Sequence, residues 1–300
     1  MAADAARAVD PAGMVAELEA LLTVEELDRD LYRGARQPEG RGRVFGGQVI
    51  AQALMAGQRA TDADRIPHSL HAYFMRPGDE QLPIIYRVSR DYDGGSFSTR
   101  RIIAFQKGEP ILNMAASFQK REDGFAHQAT MPDVPPPDTL PSEADLRRAV
   151  ADRVPERFRD FFVRPRPFDM RHVTPWNPLE AEPHPAEQRV WLKAQAPVAG
   201  GPDMHRAMLA WASDMLLLGT GMRPHGLSWV QPGVQTASLD HAIWFHGEAP
   251  VDDWLLYVMD SPWSGRGRGF NRGLLFAADG RLVASVAQEG LMRQRAAALA

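Results

Sequence analysis

The 300-residue sequence predicts an α+β protein of two fused units, each a curved antiparallel sheet wrapped around one long helix. Three observations predict it. Two helix-like runs, residues 49–60 and 204–218, are too apolar to lie on a surface and need a sheet around them. Strand-like runs follow each in the same order, with Gly108 and Gly280 172 residues apart and Ser69 and Ser238 169 apart, the mark of an internal duplication. A proline-dense stretch separates the two copies, with 12 of the 24 prolines falling between residues 131 and 186.

The first unit spans residues 10–122. It opens on a strand at 31–35, and Phe45-Gly46-Gly47-Gln48 leads into its helix. Ser69-Leu70-His71-Ala72-Tyr73-Phe74 alternates as a strand does, and 84–90 and 98–105 follow. A Lys107-Gly108 turn leads to the strand 111–119. Residues 123–186 read as a linker, because prolines at this density fit neither a central strand nor a continuous helix. Within it only 142–162 looks helical, with Ser142 as N-cap and Asp145 three residues on. The second unit spans 187–297. Its strands are 189–194, 238–243, 254–259, 271–277 and, past an Asp279-Gly280 turn, 282–288, with the helix 204–218 after the first. Joined edge to edge, the two sheets remove an open edge.

Composition narrows the function. A net charge of −4 without a long basic run argues against nucleic acid as partner. No apolar run approaches the roughly 20 residues of a membrane span. The alanine-rich start lacks the apolar core of a secretory signal, and Ala296-Ala297-Ala298-Leu299-Ala300 is not a peroxisomal-type address, so the chain reads as cytoplasmic. The absence of cysteine removes thiol nucleophiles, disulfides and cysteine metal sites. His68 and His71, and His241 and His246, lack an adjoining carboxylate pattern, so no metal site is expected. There is no Gly-x-Ser-x-Gly elbow, and Gly265-Arg266-Gly267-Arg268-Gly269-Phe270 has the wrong spacing for a dinucleotide loop. No cofactor is expected.

Val44-Phe45-Gly46-Gly47-Gln48, Tyr73-Phe74-Met75-Arg76-Pro77-Gly78-Asp79, Ser96-Phe97-Ser98-Thr99-Arg100-Arg101, Ala212-Ser213-Asp214, Leu239-Asp240-His241 with Trp244-Phe245-His246, and Gln288-Glu289-Gly290 stand in one order. In that order the sequence resembles the type II acyl-CoA thioesterases, from about residue 21 to residue 293. The resemblance implies a double hotdog fold, hydrolysis of acyl-CoA to free fatty acid and CoA in lipid metabolism, and assembly into a homo-oligomer, a dimer or tetramer. It also implies that the family's catalytic Asp, hydroxyl residue and Gln fall on Asp214, Ser238 and Gln288. Many members carry Thr where Ser238 stands; either offers one hydroxyl, Ser with a looser first torsion.

The residues support those roles independently. Helical neighbours of Asp214 are Ala210, Trp211, Leu217 and Leu218, all apolar, so burial should raise its pKa toward that of a general base. Gln288 shares strand parity with Ala284 and Val286 and so points inward. Carboxylate, hydroxyl and amide together can grip one water. Gly46 and Gly47 at a helix start either present backbone N–H groups to an oxyanion or serve tight helix–sheet packing. His68 and His71 are further candidates near the site. Three arginine groups could meet the CoA phosphates: Arg33, Arg36, Arg41 and Arg43; Arg100 and Arg101; and Arg266, Arg268 and Arg272. Trp211, Met215, Leu217 and Met55 suit an acyl tail. The first helix has no acid matching Asp214, so one active site per chain is expected.

Two rival readings remain. Hydratases of this fold carry Asp-x-Asn-Pro-(apolar)-His; Trp176-Asn177-Pro178-Leu179-Glu180 matches in part, with Pro175 and Glu180 in the acid and base places. A non-catalytic acyl-CoA-binding protein would keep the cavity and lose the base or the amide.

Overall fold

The structure, a computed structural model, describes residues 10–37, 42–174, 177, 179, 182–228, 231 and 233–294. Arg41, the last five residues, and Pro175, Trp176, Pro178 and Glu180 of the hydratase-like stretch lie outside the described residues.

The first unit runs α1 (Pro11–Leu22), β1 (Val24–Asp28), β2 (Leu31–Gly34), α2 (Gly46–Arg59), β3 (Arg65–Phe74), β4 (Ile84–Asp93), β5 (Phe97–Gln106) and β6 (Glu109–Lys120). The proline-rich segment holds α3 (Glu143–Ala149), α4 (Glu156–Val163) and β7 (Phe168–His172). The second unit runs β8 (Glu187–Ala194), α5 (Gly201–Ser213), α6 (Leu217–Met222), β9 (Val234–Ser238), β10 (Asp240–Phe245), β11 (Leu255–Gly265), β12 (Arg268–Ala277) and β13 (Leu282–Gln294).

All of these strands join one antiparallel sheet, in the order β1-β2-β4-β5-β6-β3-β10-β13-β12-β11-β8-β7, with β9 on β13. The order reads alike from both ends: β2-β4-β5-β6-β3 is answered by β8-β11-β12-β13-β10. The duplication seen in the spacing is thus a pseudo-twofold about the β3–β10 junction, where Leu70 faces Ile243 and Ala72 faces His241. This is the double hotdog that the sequence predicts. The Lys107-Gly108 turn takes left-handed backbone at both residues (φ 52° and 78°), the two-residue hairpin geometry that twists with the strands. Arg266-Gly267 repeats it between β11 and β12 (φ 51° and 76°).

The first unit's sheet wraps α2 because that helix has almost no polar face, whereas in the second unit α5 packs chiefly on α2 and α6 lies against β11, β12 and β13. Val49, Ile50, Ala51, Ala53, Leu54 and Ala56 of α2 are all buried. Gln52, also buried, reconciles its amide by donating to the Leu21 and Ala35 carbonyls and accepting from the Tyr86 hydroxyl. The two helices pack antiparallel. Gly47 at the start of α2 lies on the Trp211 carbonyl near the end of α5, and Gln58 at the other end of α2 reaches Asp203 and Arg206.

The proline-rich segment is less of a tether than the sequence suggests. Its prolines do exclude a central strand, and β7 is an edge strand. Ser142 caps α3 by accepting from the Asp145 N–H, as predicted, but the helical stretch breaks in two between α3 and α4. Buried Glu143 meets His172 of β7 (2.9 Å), Arg147 and Arg166. Burial pushes that carboxyl up, and the His172 hydrogen bond with the two guanidinium groups outweighs it, holding the pKa at about 2. Trp191 Nε1 donates to the Pro135 carbonyl and Gln128 Nε2 to that of Gly280, so the segment lies along the second unit.

Candidate active site

Asp214 is the C-cap of α5. The sequence predicts one helix over 204–218. The chain instead leaves the helix at Ser213, turns, and starts α6 at Leu217. Tyr257 of β11 holds that last turn, its hydroxyl donating to the Ser213 carbonyl (2.9 Å). The Asp214 carboxylate lies against the start of α2 at Gly46 and Gly47, and the residue is buried.

Four groups converge there. The Gln288 amide Nε2 of β13 donates to Asp214 Oδ1, and the Ser238 hydroxyl donates to the same oxygen at 3.3 Å. Gln288 Nε2 also lies 3.1 Å from Ser238 Oγ. The Gly47 backbone hydrogen bonds the carboxylate from the N-terminus of α2. Burial nevertheless dominates, and the Asp214 pKa rises from 3.8 to about 6. The Gln288 Oε1 atom is buried without a partner among the described residues.

Ser238 reaches this point through an irregularity that the sequence hides. The stretch 238–243 reads as one strand, in which Ser238 and His241, three apart, would face opposite sides of the sheet. The structure interrupts it at Leu239, whose N–H bonds the Glu289 carbonyl. Ser238 ends β9 opposite Gly290, while β10 starts afresh beside β3. The extra residue turns both side chains inward, as a bulge does. His241 thereby lies beside Gln288, its Nδ1 3.1 Å from Gln288 Nε2 and its Nε2 2.9 Å from Ser213 Oγ. The sequence assigns His241 no role; its parity with Ile243 was the available sign that it points inward.

The glycine pair turns out to face the acid. A methyl on Gly46 would come within 2.7 Å of Asp214 Oδ2 and 2.9 Å of the Phe74 ring; one on Gly47 would meet the Trp211 carbonyl at 2.5 Å. Close approach therefore requires both glycines, and the Gly47 amide is directed at Asp214.

Three expected binding residues need correction. Arg100 is 1% exposed, and its guanidinium donates to the carbonyls of Ala60, Tyr92 and Thr99 and to Asp93. It caps the C-terminus of α2 and offers no donor to a phosphate. His68 sits six residues along β3 from Phe74, about 20 Å at strand rise. It bonds Ser117 Oγ (2.8 Å) in a separate surface hollow with Phe245 and His246, and His71 lies on the outer face against Trp244. Arg268 has strand parity opposite to inward-facing Asn271 and pairs with Glu289 (3.2 Å). It stands on the outer side of the sheet, at the rim. Of the other arginines, Arg33 pairs with Glu25, Arg101 with Asp91 and Arg272 with Asp260. Arg43 is exposed three residues before Gly46.

Trp211, Phe45 and Phe168 form an aromatic wall beside the acid, Trp211 stacked on Phe168 and edge-on to Phe45. Met215 packs in the same core as Trp211 and Phe168. No helix among the described residues is long and apolar enough to cross a membrane.

Comparison with known proteins gives consistent matches. The acyl-CoA thioesterase N-terminal domain matches residues 35–119, and the C-terminal domain of the same family matches 132–292. Acyl-CoA thioesterase 2 of Haemophilus influenzae is 40% identical over 273 residues, covering 91% of this chain and 96% of its own. Human acyl-coenzyme A thioesterase 8 is 37% identical over 281 residues, 91% of this chain and 88% of its own. The crystal structure of an acyl-CoA thioesterase II, TesB2, from Mycobacterium marinum superposes with a TM-score of 0.76 at 38% identity, covering 94% of this chain and all of that one.

Proposed function

This chain belongs to the acyl-CoA thioesterase family, and from that premise we propose that it hydrolyses fatty acyl-CoA with Asp214 as general base and Ser238 and Gln288 as the groups that orient the water. The observation that carries the reading is one buried carboxylate, its pKa lifted to about 6, in hydrogen-bond reach of both a hydroxyl and an amide.

The steps follow from those groups. A water held by Asp214, Ser238 and Gln288 attacks the thioester carbonyl as Asp214 takes its proton. The carbonyl electrons move onto oxygen, beside the positive end of the α2 dipole at Gly46–Gly47. The tetrahedral species then collapses. The C–S bond breaks, the sulfur takes the electron pair, and Asp214 returns the proton to it. Fatty acid and CoA leave. A base with a pKa near 6 is ionised at neutral pH yet basic enough to accept a proton. Phe45, Phe74, Trp211 and Met215 form the apolar wall for the acyl chain. Arg43, exposed just before the start of α2, is the arginine proposed for the CoA phosphates. The cytoplasm as location and a homo-oligomer, dimer or tetramer, complete the reading.

The test is thiol release from acyl-CoA esters of increasing chain length, followed with a thiol reagent. Wild type releases CoA, and Asp214→Ala is slower by about 10²- to 10⁴-fold while still binding the ester. Normal hydrolysis by Asp214→Ala overturns the assignment of the base. Binding without release at every length makes the protein a non-catalytic acyl-CoA binder.

A further inference from the structure

We infer that His241 is a positioning residue for hydrolysis: a neutral imidazole whose bare Nδ1 fixes which way the Gln288 amide faces. The inference rests on the Asp214–Ser238–Gln288 reading and extends it one residue further from the reacting atoms.

The directions of the hydrogen bonds carry it. Ser213 Oγ lies 2.9 Å from the Ala210 carbonyl, an acceptor only, so the hydroxyl spends its proton there. His241 Nε2, 2.9 Å from the same Oγ, must then supply a proton to it. With the proton on Nε2, Nδ1 is a bare lone pair, 3.1 Å from Gln288 Nε2. A lone pair there accepts from an amide N–H and repels an amide carbonyl. The –NH2 of Gln288 therefore stays on the side of His241, Asp214 and Ser238, and its carbonyl oxygen on the other. A peptide carbonyl in α5 thus sets the tautomer of a histidine in β10, which sets the amide of β13 that faces the base.

The alternative orientation is the harmful one. A flipped amide would set Oε1 against the Asp214 carboxylate, removing a donor and adding a repulsion, and would disfavour the ionised base. The ionised Asp214 carboxylate favours the same orientation, and the bare Nδ1 of His241 holds it when the acid is protonated as well. The titratable groups facing it are Asp214, 3.9 Å from Nδ1, and the phenol of Tyr257, which donates to the Ser213 carbonyl and is pushed well above its ordinary range by burial. Asp240, adjacent in sequence, accepts from the Glu289 N–H instead. Burial also depresses the His241 pKa to about 3, so the imidazole stays uncharged wherever the base is active.

Three variants test this alongside wild type. His241→Leu fills the space without an acceptor. His241→Asn can return an oxygen to the Nδ1 position. Ser213→Ala frees the tautomer while leaving the imidazole. His241→Leu is expected to lower kcat about 10- to 100-fold at nearly unchanged KM, and to move the acid limb of kcat/KM to higher pH. His241→Asn recovers most of kcat and restores the limb; Ser213→Ala falls between. The ¹⁵N signals of the His241 ring in wild type should report the Nε2-protonated neutral tautomer throughout the active pH range. An Nδ1-protonated or charged ring overturns the inference even where a variant does not fold. So does a folded His241→Leu with wild-type kcat and an unmoved acid limb, provided Gln288→Ala and Asp214→Ala are both impaired. Normal rates in those two variants would instead remove the assignment of the base, and the inference with it.

Discussion

Asp214 carries a cost that shows in stability as well as in rate. Its carboxyl is more easily protonated folded than unfolded, with a pKa of about 6 against 3.8. The stability this contributes is full below pH 3.8 and lost as pH rises through 6. At pH 8 the fold holds an ionised carboxylate in a buried place, and the gap between those values corresponds to about 3 kcal/mol. Asp214→Asn keeps the shape without the charge. It should be more stable than wild type at pH 8 by up to that amount, with the difference fading toward pH 4, as read from denaturant unfolding at the two pH values. Equal stability at both would mean that the carboxylate is not desolvated. The residue's surroundings were legible beforehand, since Ala210, Trp211, Leu217 and Leu218 announce an apolar place for an acid. Its partnership with His241 was not, because strand parity counted through Leu239 sets that ring and Ser238 on opposite faces.

Secondary-structure elements were read well where periodicity was strong and poorly where tertiary contacts overrode it. The strands following each helix and the turns at Gly108 and Gly280 follow from alternation and turn chemistry. The end of α5 at Ser213 does not, because no local breaker stands there; the Tyr257 hydroxyl and the contacts of Asp214 make it. Arg100 is the clearest misreading. An arginine in a strand looks like a phosphate ligand until its burial is seen, and the structure spends it on the end of α2 instead. Arg100→Met should strand three carbonyls and unpair Asp93, destabilising the fold by about 3 kcal/mol. KM for acyl-CoA should stay unchanged in the folded protein. Denaturant titration and steady-state kinetics separate the outcomes, since a raised KM at unchanged stability would return Arg100 to the phosphate.

Across the whole molecule the duplication is structural, and the groups of the candidate site are not repeated at the matching positions of the first unit. The β3–β10 pairing makes one sheet of two, and the site draws Gly46, Gly47 and Phe74 from the first unit and Asp214, Ser238, His241 and Gln288 from the second. In the first unit the end of the helix carries Ala60, its carbonyl occupied by Arg100, and Ala116 faces Arg100 where Gln288 faces Asn271. No acid stands at the end of α2, as its sequence already indicated, and Ala116 of β6 offers no amide. Residues 10–122 and 123–297 expressed separately should each lack thioesterase activity, and co-expression should restore it through the shared sheet. Activity from the second fragment alone would contradict a site assembled from both. What the sequence concealed at this scale was the role of the proline-rich segment, whose contacts with the second unit depend on Gln128 meeting Gly280 and Leu282, and Trp191 meeting Pro135, far along the chain.

The pH dependence of kcat/KM for an acyl-CoA substrate tests the general-base claim most directly. A carboxylate lifted by burial and working as base predicts a rate that climbs tenfold per pH unit on the acid side and levels off above a pKa of about 6. It also predicts that Asp214→Asn loses that dependence along with the activity. A wild-type rate already level at pH 5, or a variant that keeps the same limb, would contradict the account.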